Sequence, residues 1–308
     1  MTTITRAIDN SVSFLIYYCQ NPKEGRNSMI RIENIFNSSF TFKKVVSPTD
    51  FPDGTKLLKF EVDDGADYRI VWLYDNDEEL FQLIALVKHI KSKGGKVWLT
   101  LPYVPNARMD RVKNSDEVFT LKAFAETINW LGFEGVTICN PHSTVSEALF
   151  DRVEVDFDCV KQDVASIVRI GTENIDVIYF PDEGACKRYS DLLSFLKLPV
   201  AFGIKKRDWQ TGKILGIDIA GYDDLKGKNV LMVDDICAYG GTFYYSACAL
   251  KDKGAKDIIC YVTHLEKSVM DVQKGKLIQG DLIKRIYATN SIFRVPDADP
   301  KIRIIREF

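Results

Sequence analysis

Apolar positions along the chain fall into short runs separated by helical stretches. YRIVWLY (68–74) and KVWLTL (96–101) are rich in β-branched and aromatic residues and predict strands. Between them, from Asp77 to Lys93, Leu80, Ile84, Val87 and Ile90 share one helical face, and Gly94-Gly95 ends the pattern. Thr120 to Leu131 predicts a second helix and GVTIC (135–139) the next strand. IDVIYF (175–180) opens a second series, with a helix from about Gly184 to Leu196. Strands PVAFGI (199–204), NVLMV (229–233) and DIICYVT (257–263) follow, with a helix from Thr242 to Lys253 between the last two. The tail, SIFRVPDADPKIRIIREF, adds a loop and one strand, KIRIIREF. Such alternation predicts an α/β protein with parallel sheets covered by helices. It restarts near residue 150, so two lobes of similar size are expected, 1–150 and 151–308, with the last strand able to pack back on the first lobe.

Composition changes this picture little. The chain has 308 residues, 46% of them hydrophobic and 27% charged, which is ample for two cores. A net charge of -2 gives no global basic field, so neither nucleic acid nor an acidic membrane is expected as a partner. The sequence has no apolar run of about 18 residues that would cross a bilayer. The start, MTTITRAIDNSVSFLIYY, lacks the basic region, long apolar block and small-residue cleavage site of a signal peptide, and reads as mature. Seven scattered cysteines without a CxxC pair argue against a zinc site or a disulfide framework and fit reduced thiols in a cytoplasm.

The segment NVLMVDDICAYGGTF (229–243) carries the chemistry. Ligands of parallel sheets gather at the carboxyl ends of strands, and this strand runs into Asp234 and Asp235 and then into a helix. Gly240, Gly241 and Thr242 let backbone N–H groups close around an anion at a helix N-terminus. The two aspartates suit sugar hydroxyls or a cation. Together the parts describe a ribose phosphate, with the hydroxyls on the carboxylates and the 5-phosphate among the amides. A strand-end turn with two solvated acids is the plainer alternative.

The segment resembles the phosphoribosyl-diphosphate loop shared by type I phosphoribosyltransferases and ribose-phosphate pyrophosphokinases. Other segments separate the two. LPYVPNARMDRV (101–112) resembles the kinase family's ATP segment, in which PY is followed by ARxDR. NPHS (140–143) stands where that family has a strand end with a metal-binding histidine. PDEGACKR (181–188) resembles its PDxG loop, and GIKKRDWQTGKI (203–214) its flexible catalytic loop with a KxR core. FPDGT (51–55) resembles its FxDGE element and ATNSI (288–292) its late TN(T/S)I turn. These matches fall in the family's order over nearly the whole chain. The resemblance implies two phosphoribosyltransferase-like lobes, each a parallel sheet flanked by helices, an ATP-binding lobe over 1–150 and a ribose-phosphate-binding lobe over 151–308.

The family reaction sends the anomeric hydroxyl of ribose 5-phosphate onto the β-phosphorus of ATP, and AMP leaves. Its transition state is dense in negative charge, so positioning and electrostatics dominate. There is no GxxxxGK[ST] loop, so ATP must be held otherwise. The resemblance implies that Arg108 stacks on adenine and that Asp110 and Arg111 help hold the nucleotide. It implies that Phe51, on the element that also carries Asp53, covers the other adenine face from a neighbouring subunit, hence a homo-oligomer. Lys205 and Arg207 are the expected catalytic cations. Asp182, Asp234, Asp235, Ala238, Tyr239, Gly240, Gly241 and Thr242 are the expected ribose-phosphate contacts. His142 and Asp182 are the expected Mg²⁺ contacts. Imidazole is a poor partner for that hard ion, so water can carry the His142 contact. For each of these basic segments a solvated loop face is the bland reading. His89 and His264 receive no role.

The sequence departs from the family in three acids. Ala238 and Tyr239 stand where the family has an aspartate and a small residue, Thr55 replaces the glutamate of FxDGE, and Asn140 stands where an acid is usual. Without the carboxylate at 238, repulsion of a bulkier or more negative acceptor falls, and Tyr239 offers a stacking face. Two acceptors therefore remain open: ribose 5-phosphate, giving phosphoribosyl diphosphate, and ADP-ribose, giving its 1-pyrophosphate for NAD resynthesis. An inactive regulatory paralogue is a third possibility, against which Lys205, Arg207, Asp234 and Asp235 are all retained. A transcriptional regulator on this fold would need a basic helix or domain, which the sequence lacks. A true phosphoribosyltransferase would not need the ARMDR and KKR segments together.

Overall fold

The computed structural model describes residues 30–35, 42–44, 49–170, 174–207, 214–295 and 298–308. For Phe42–Lys44, Ile170, Lys206, Arg207, Ile214 and Leu215 it describes the backbone alone.

In the first lobe the strands are β1 (Ile30–Asn34), β2 (Phe42–Lys44), the short β3 (Thr49–Asp50) and β4 (Lys56–Leu57), β5 (Tyr68–Trp72), β6 (Val97–Leu101), β7 (Gly135–Cys139) and β8 (Val153–Asp156). Helices α1 (Glu78–Ser92), α2 (Thr120–Leu131) and α3 (Thr144–Leu149) connect them. The six-stranded sheet has the order β2-β1-β5-β6-β7-β8, and β3 and β4 form a separate hairpin. From β5 to β8 the pairing is parallel, while β1 and β2 add antiparallel edges. Buried and partly exposed residues alternate along β1 and β6, whereas β5 exposes Arg69 alone, and Tyr68, Ile70 and Trp72 share one core with Leu83, Val87 and Ile90 of α1 and Leu121, Phe124 and Ile128 of α2. That alternation marks strands buried chiefly on one face.

The second lobe contains α4 (Asp158–Ile170), β9 (Val177–Phe180), α5 (Glu183–Leu193), β10 (Val200–Arg207), β11 (Ile214–Gly221), β12 (Val230–Cys237), α6 (Gly241–Asp252), β13 (Ile258–Leu265), β14 (Arg285–Thr289) and β15 (Ile302–Arg306). Its seven-stranded sheet runs β11-β10-β9-β12-β13-β14-β15. All pairs are parallel except the hairpin of β10 with β11. Strands β9 and β13 are buried at every residue, β9 as an unbroken apolar run and β13 with Thr263 and His264 after its apolar stretch. Separate clusters cover the two faces of this sheet, one including Phe243, Ala247 and Leu250 of α6, the other Val160, Val164 and Ile167 of α4 with Tyr189 and Leu193 of α5.

Three expectations change. The first sheet runs on through β8 to Asp156, so the lobes divide near Phe157 instead of at 150, because β8 pairs with β7. The last strand does not return to the first lobe: β15 pairs with β14, leaving an end contact in which Arg31 donates to the Phe308 carbonyl. Strand β12 does not stop before the aspartates. It continues through Asp234 and Asp235 to Cys237 because β13 runs beside it, with Asp234 opposite Val262 and Cys237 opposite Leu265.

The terminal strand is fastened by an ion pair. Arg306 Nε and Nη2 each lie 2.9 Å from Asp163 Oδ1 on α4, and the Tyr261 hydroxyl donates to Asp163 Oδ2 at 3.0 Å. Removing one partner of a buried pair strands the other charge, at about 3 kcal/mol. Arg306→Met should therefore lower the free energy of urea unfolding by about that amount. An unchanged midpoint would show that β15 is held by its ladder alone.

Candidate active site

The site lies where the two lobes meet, and its geometry begins with the turn after β7. Asn140 has a φ of 41° and is wholly buried. Its side-chain amide donates to Thr263 Oγ1 at 2.7 Å and accepts from the Tyr189 hydroxyl at 2.9 Å. Thr263 in turn donates to Tyr261 at 3.3 Å, and Tyr261 to Asp163. A carboxylate can only accept, so Asp163 sets the direction of the whole run, and position 140 must both donate and accept. An amide does this and a carboxylate does not. Asn140 therefore serves the junction of the lobes, not a substrate, which gives a structural reason for this departure from the family pattern.

The same turn is gripped from the second lobe at three carbonyls. His264 Nε2 meets the Asn140 carbonyl at 3.1 Å and must donate there. Arg188 donates to the carbonyls of Pro141, at 3.2 Å, and His142. Burial pulls the His264 pKa down to about 4, so the ring is neutral, and its role is structural.

This docking brings His142 to the acid pair. His142 Nδ1 lies 2.5 Å from Asp235 Oδ2, and Arg188 Nη1 lies 3.4 Å from the same oxygen. Burial pushes Asp235 up, but the hydrogen bond and charge of His142, with Arg188, hold it down at about 2. His142 is correspondingly raised by Asp235. Asp234 goes the other way: burial and the neighbouring Asp235 charge push it well above the usual carboxylate range, and Asp182 adds to this. The pair thus holds one carboxylate kept low by its cationic neighbours and one pushed up by burial and its neighbour's charge.

Lys205 reaches the acid cluster from β10, where its Nζ lies 2.7 Å from Asp182 Oδ2. Asp182 also caps α5, accepting from Ala185 N at 3.0 Å. Gly203 makes the approach possible, because a Cβ there would sit 2.5 Å from the Tyr179 hydroxyl and 2.7 Å from the Pro181 carbonyl. The KKR segment is therefore the end of a strand in a hairpin, with a bulge between Lys206 and Arg207, instead of a loop after a strand. The Arg207 side chain and residues 208–213, Gly212 among them, lie outside the described residues.

After Cys237 the chain turns through Ala238 and Tyr239 into α6. Gly240 has a φ of 79°, and a Cβ there would strike Leu277 at 2.5 Å, so only glycine fits. Gly241 and Thr242 open the helix, whose first amides have no intrahelical acceptor. The helix start to which the sequence reading assigns an anion thus follows the acid pair, with Gly240 five positions past Asp235.

The residues expected to hold ATP divide into two groups. Arg108 Nη2 lies 2.7 Å from Glu266 Oε1, and the Glu266 amide donates to the Cys237 carbonyl at 2.8 Å. Arg111 Nε and Nη2 contact the Asp110 carboxylate at 2.9 and 3.1 Å, which holds Asp110 low, and Asp110 also hydrogen-bonds Ser143 beside His142. These residues and the acid pair thus lie on one side of the molecule. Phe51 and Asp53 do not join them. They form the tip of the β3–β4 hairpin, where Phe51 is 47% exposed and Asp53 Oδ1 accepts from Thr55 N and Oγ1 at 3.0 and 2.7 Å. Thr55, in place of the family's glutamate, ties Asp53 into its own turn.

Among the described residues no group of three or more His, Cys, Asp or Glu side chains is already disposed around a metal. A Mg²⁺ site needs no such cage, since this ion keeps several waters and shares one or two carboxylates with substrate phosphates. Asp182, Asp234 and Asp235 fit that demand: their mutual repulsion, seen in the raised Asp234, is what a cation would relieve. Sequence reasoning missed Arg188, Glu266 and the structural roles of Asn140 and His264. Arg188 lies within the PDEGACKR match and was the one with a visible signal.

The family model of the phosphoribosyl transferase domain matches residues 160–288. The chain is 29% identical to the ribose-phosphate pyrophosphokinase of Bacillus subtilis over 80% of its own length and 77% of that protein. It is 28% identical to ribose-phosphate pyrophosphokinase 2 of Enterococcus faecalis, over 82% and 77% of the two chains, and 28% identical to the Sulfolobus acidocaldarius enzyme, over 83% and 86%. In fold it is similar to phosphoribosylpyrophosphate synthetase from Mycobacterium smegmatis, with a TM-score of 0.66, 20% identity, and 85% and 86% of the two chains aligned.

Two outcomes test the junction. Asn140→Asp should destabilise the protein by about 2–4 kcal/mol in urea unfolding, since the run of donors is broken at a buried acceptor. A stability equal to that of the parent, with altered ATP affinity, would instead place Asn140 among the substrate contacts. His264, with a folded pKa of about 4 against an ordinary 6.5, binds fewer protons than in the unfolded chain between those values. Stability should therefore fall as pH drops through that window, by at most about 1.4 kcal/mol per unit from this residue. His264→Gln should flatten the profile between pH 7 and 5, and parallel profiles would contradict the assignment.

Proposed function

We propose that this chain, a divergent member of the ribose-phosphate pyrophosphokinase family, transfers the β,γ-diphosphoryl group of ATP to the anomeric hydroxyl of ribose 5-phosphate and releases AMP. The observation that carries the reading is the convergence of Asp234, Asp235, Asp182 and Lys205 from one lobe with His142, Asp110 and Arg111 from the other, beside Arg108 on Glu266.

In this reading the ribose hydroxyls bind Asp234 and Asp235, and the 5-phosphate sits on the amides of Gly240–Thr242 at the positive end of α6. Ala238 and Tyr239 line that cradle. Arg108 and Arg111 take the nucleotide, with Asp110 orienting Arg111. Phe51, with Asp53 behind it, covers adenine from a neighbouring copy, which makes the active form a homo-oligomer. The hydroxyl oxygen forms a bond to the β-phosphorus and gives up its proton to solvent, the bond to the α,β-bridging oxygen breaks, and that oxygen leaves with AMP. Lys205 exchanges Asp182 for the phosphoryl oxygens in flight, and Arg207 follows it along β10. Mg²⁺, when bound, would supply charge neutralisation to the transferring phosphates, and Asp182 with the Asp234–Asp235 pair would hold it, His142 through water.

A second acceptor, ADP-ribose, is favoured by one feature. Ala238 leaves the cradle without its usual carboxylate, and the Tyr239 ring stands 42% exposed beside it. An inactive regulatory role fits less well, because the Lys205–Asp182 pair and both aspartates are in place. No helix among the described residues is long and apolar enough to cross a membrane, and the described cysteines are free thiols, in keeping with a reducing cytoplasm.

Release of AMP from ATP, coupled to a colour change, should depend on ribose 5-phosphate or ADP-ribose. Lys205→Ala should lower kcat by about 10²–10³, the scale of one lost transition-state donor. Inertness toward both acceptors, or full turnover without Lys205, would overturn the proposal.

A further inference from the structure

A tight turn beyond β13 brings two lysines against the aromatic residues that flank the anion cradle. Asp271 Oδ1 accepts from the amides of Gln273 and Lys274 at 2.9 and 2.8 Å, and Gly275 N donates to the Asp271 carbonyl at 2.8 Å. A Cβ on Gly275 would lie 2.3 Å from the Val269 carbonyl, so the turn is closed to any other residue. Lys276 N then donates to the Tyr239 carbonyl at 3.1 Å, which laces the turn to the cradle loop.

The side chains follow from this backbone. Lys274 Nζ lies 5.6 Å from the centre of the Tyr239 ring. Lys276 Nζ lies 5.2 Å from the Tyr245 ring and 3.4 Å from its hydroxyl. Tyr245 is four residues past Gly241, one turn into α6, on the flank of the cradle. Its ring is 39% exposed and that of Tyr239 42%. Neither ammonium is within ion-pair distance of a carboxylate among the described residues, although the Lys274 charge helps to hold Asp271 low from further off. Ammonium groups without a carboxylate partner, beside partly exposed aromatic rings, attract a ligand that is anionic at one end and planar at the other.

We infer that Tyr239, Tyr245, Lys274 and Lys276 form a subsite contiguous with the 5-phosphate cradle, which takes the nucleoside monophosphate half of an acceptor whose 5-phosphate is extended by a phosphoanhydride. The lysines take the second phosphate and the tyrosines the base. The inference rests on the ribose-phosphate reading of the cradle and selects the class of its extended acceptor. A plain ribose 5-phosphate ends before these residues and gains nothing from them.

The test is calorimetric titration of ADP-ribose and of ribose 5-phosphate onto the full chain and onto the Lys274→Ala/Lys276→Ala variant, with Tyr245→Ala alongside. The parent should bind ADP-ribose at least about tenfold tighter than ribose 5-phosphate, the scale of one charge-assisted contact. The lysine variant should lose that margin and keep its ribose 5-phosphate affinity within about twofold, and Tyr245→Ala should lose part of it. Equal affinities in the parent, or equal losses for both ligands, would overturn the subsite. AMP release measured in parallel separates the two readings. Selective binding without AMP release sinks the reaction and keeps the subsite. AMP release without selective binding does the reverse.

Discussion

The architecture of the site depends on one turn whose polar groups are satisfied by the other lobe. Asn140, Pro141 and His142 leave the first sheet and offer three carbonyls and one amide side chain, which Tyr189, Thr263, Arg188 and His264 complete. Each buried polar group left unpartnered would cost about 1–3 kcal/mol. The lobes therefore cannot slide past one another without a large penalty, and the orientation that satisfies the turn is the one that sets His142 on Asp235. Outer contacts reinforce it, with Arg294 donating to the Tyr74 carbonyl at 2.9 Å and Lys267 lying 2.6 Å from Asp75.

Given that frame, the charges at the site are arranged for exchange. Asp235 is held ionised by His142 and Arg188, while Asp234 is pressed toward neutrality by its neighbours. The cations suited to phosphates are parked on acids: Lys205 on Asp182 and Arg108 on Glu266. In the proposed reaction, incoming phosphates would compete for partners that are already in reach, and the surrendered carboxylates would become available to a metal or to sugar hydroxyls. Such a site avoids isolated buried charge before substrate arrives, which would be far costlier than the pairs it keeps.

Much of this was legible in the residues. The apolar stretches of β9, β12 and β13 required burial on both faces, and the acid pair before a glycine-rich helix start pointed to the sheet end where the lobes meet. What escaped was whatever depended on a distant partner. Strand β12 outran its apolar stretch because β13 extends beside it, and the KKR segment became strand because β11 folds back on it. Asn140 read as a lost acid because Tyr189 and Thr263 are far away in sequence, and only their hydroxyls show why an amide is needed. The edge strand β8 and helix α4 carried signals that were passed over: VEVD alternates, and Val160, Val164 and Ile167 share a helical face. The setting of Asp53 escaped for a local reason, since Thr55 both replaces an acid and hydrogen-bonds the one that remains.

The central claim is that the acid pair presents an anomeric hydroxyl to the β-phosphorus of a nucleotide held from the facing lobe. Phosphorus NMR of the reaction with ATP, Mg²⁺ and ribose 5-phosphate or ADP-ribose reads this directly. The account predicts that the ATP resonances give way to AMP and to a diphosphate whose inner phosphorus is bonded through the anomeric oxygen. Formation of ADP with a sugar monophosphate, or ATP that stays intact with either acceptor, would contradict it.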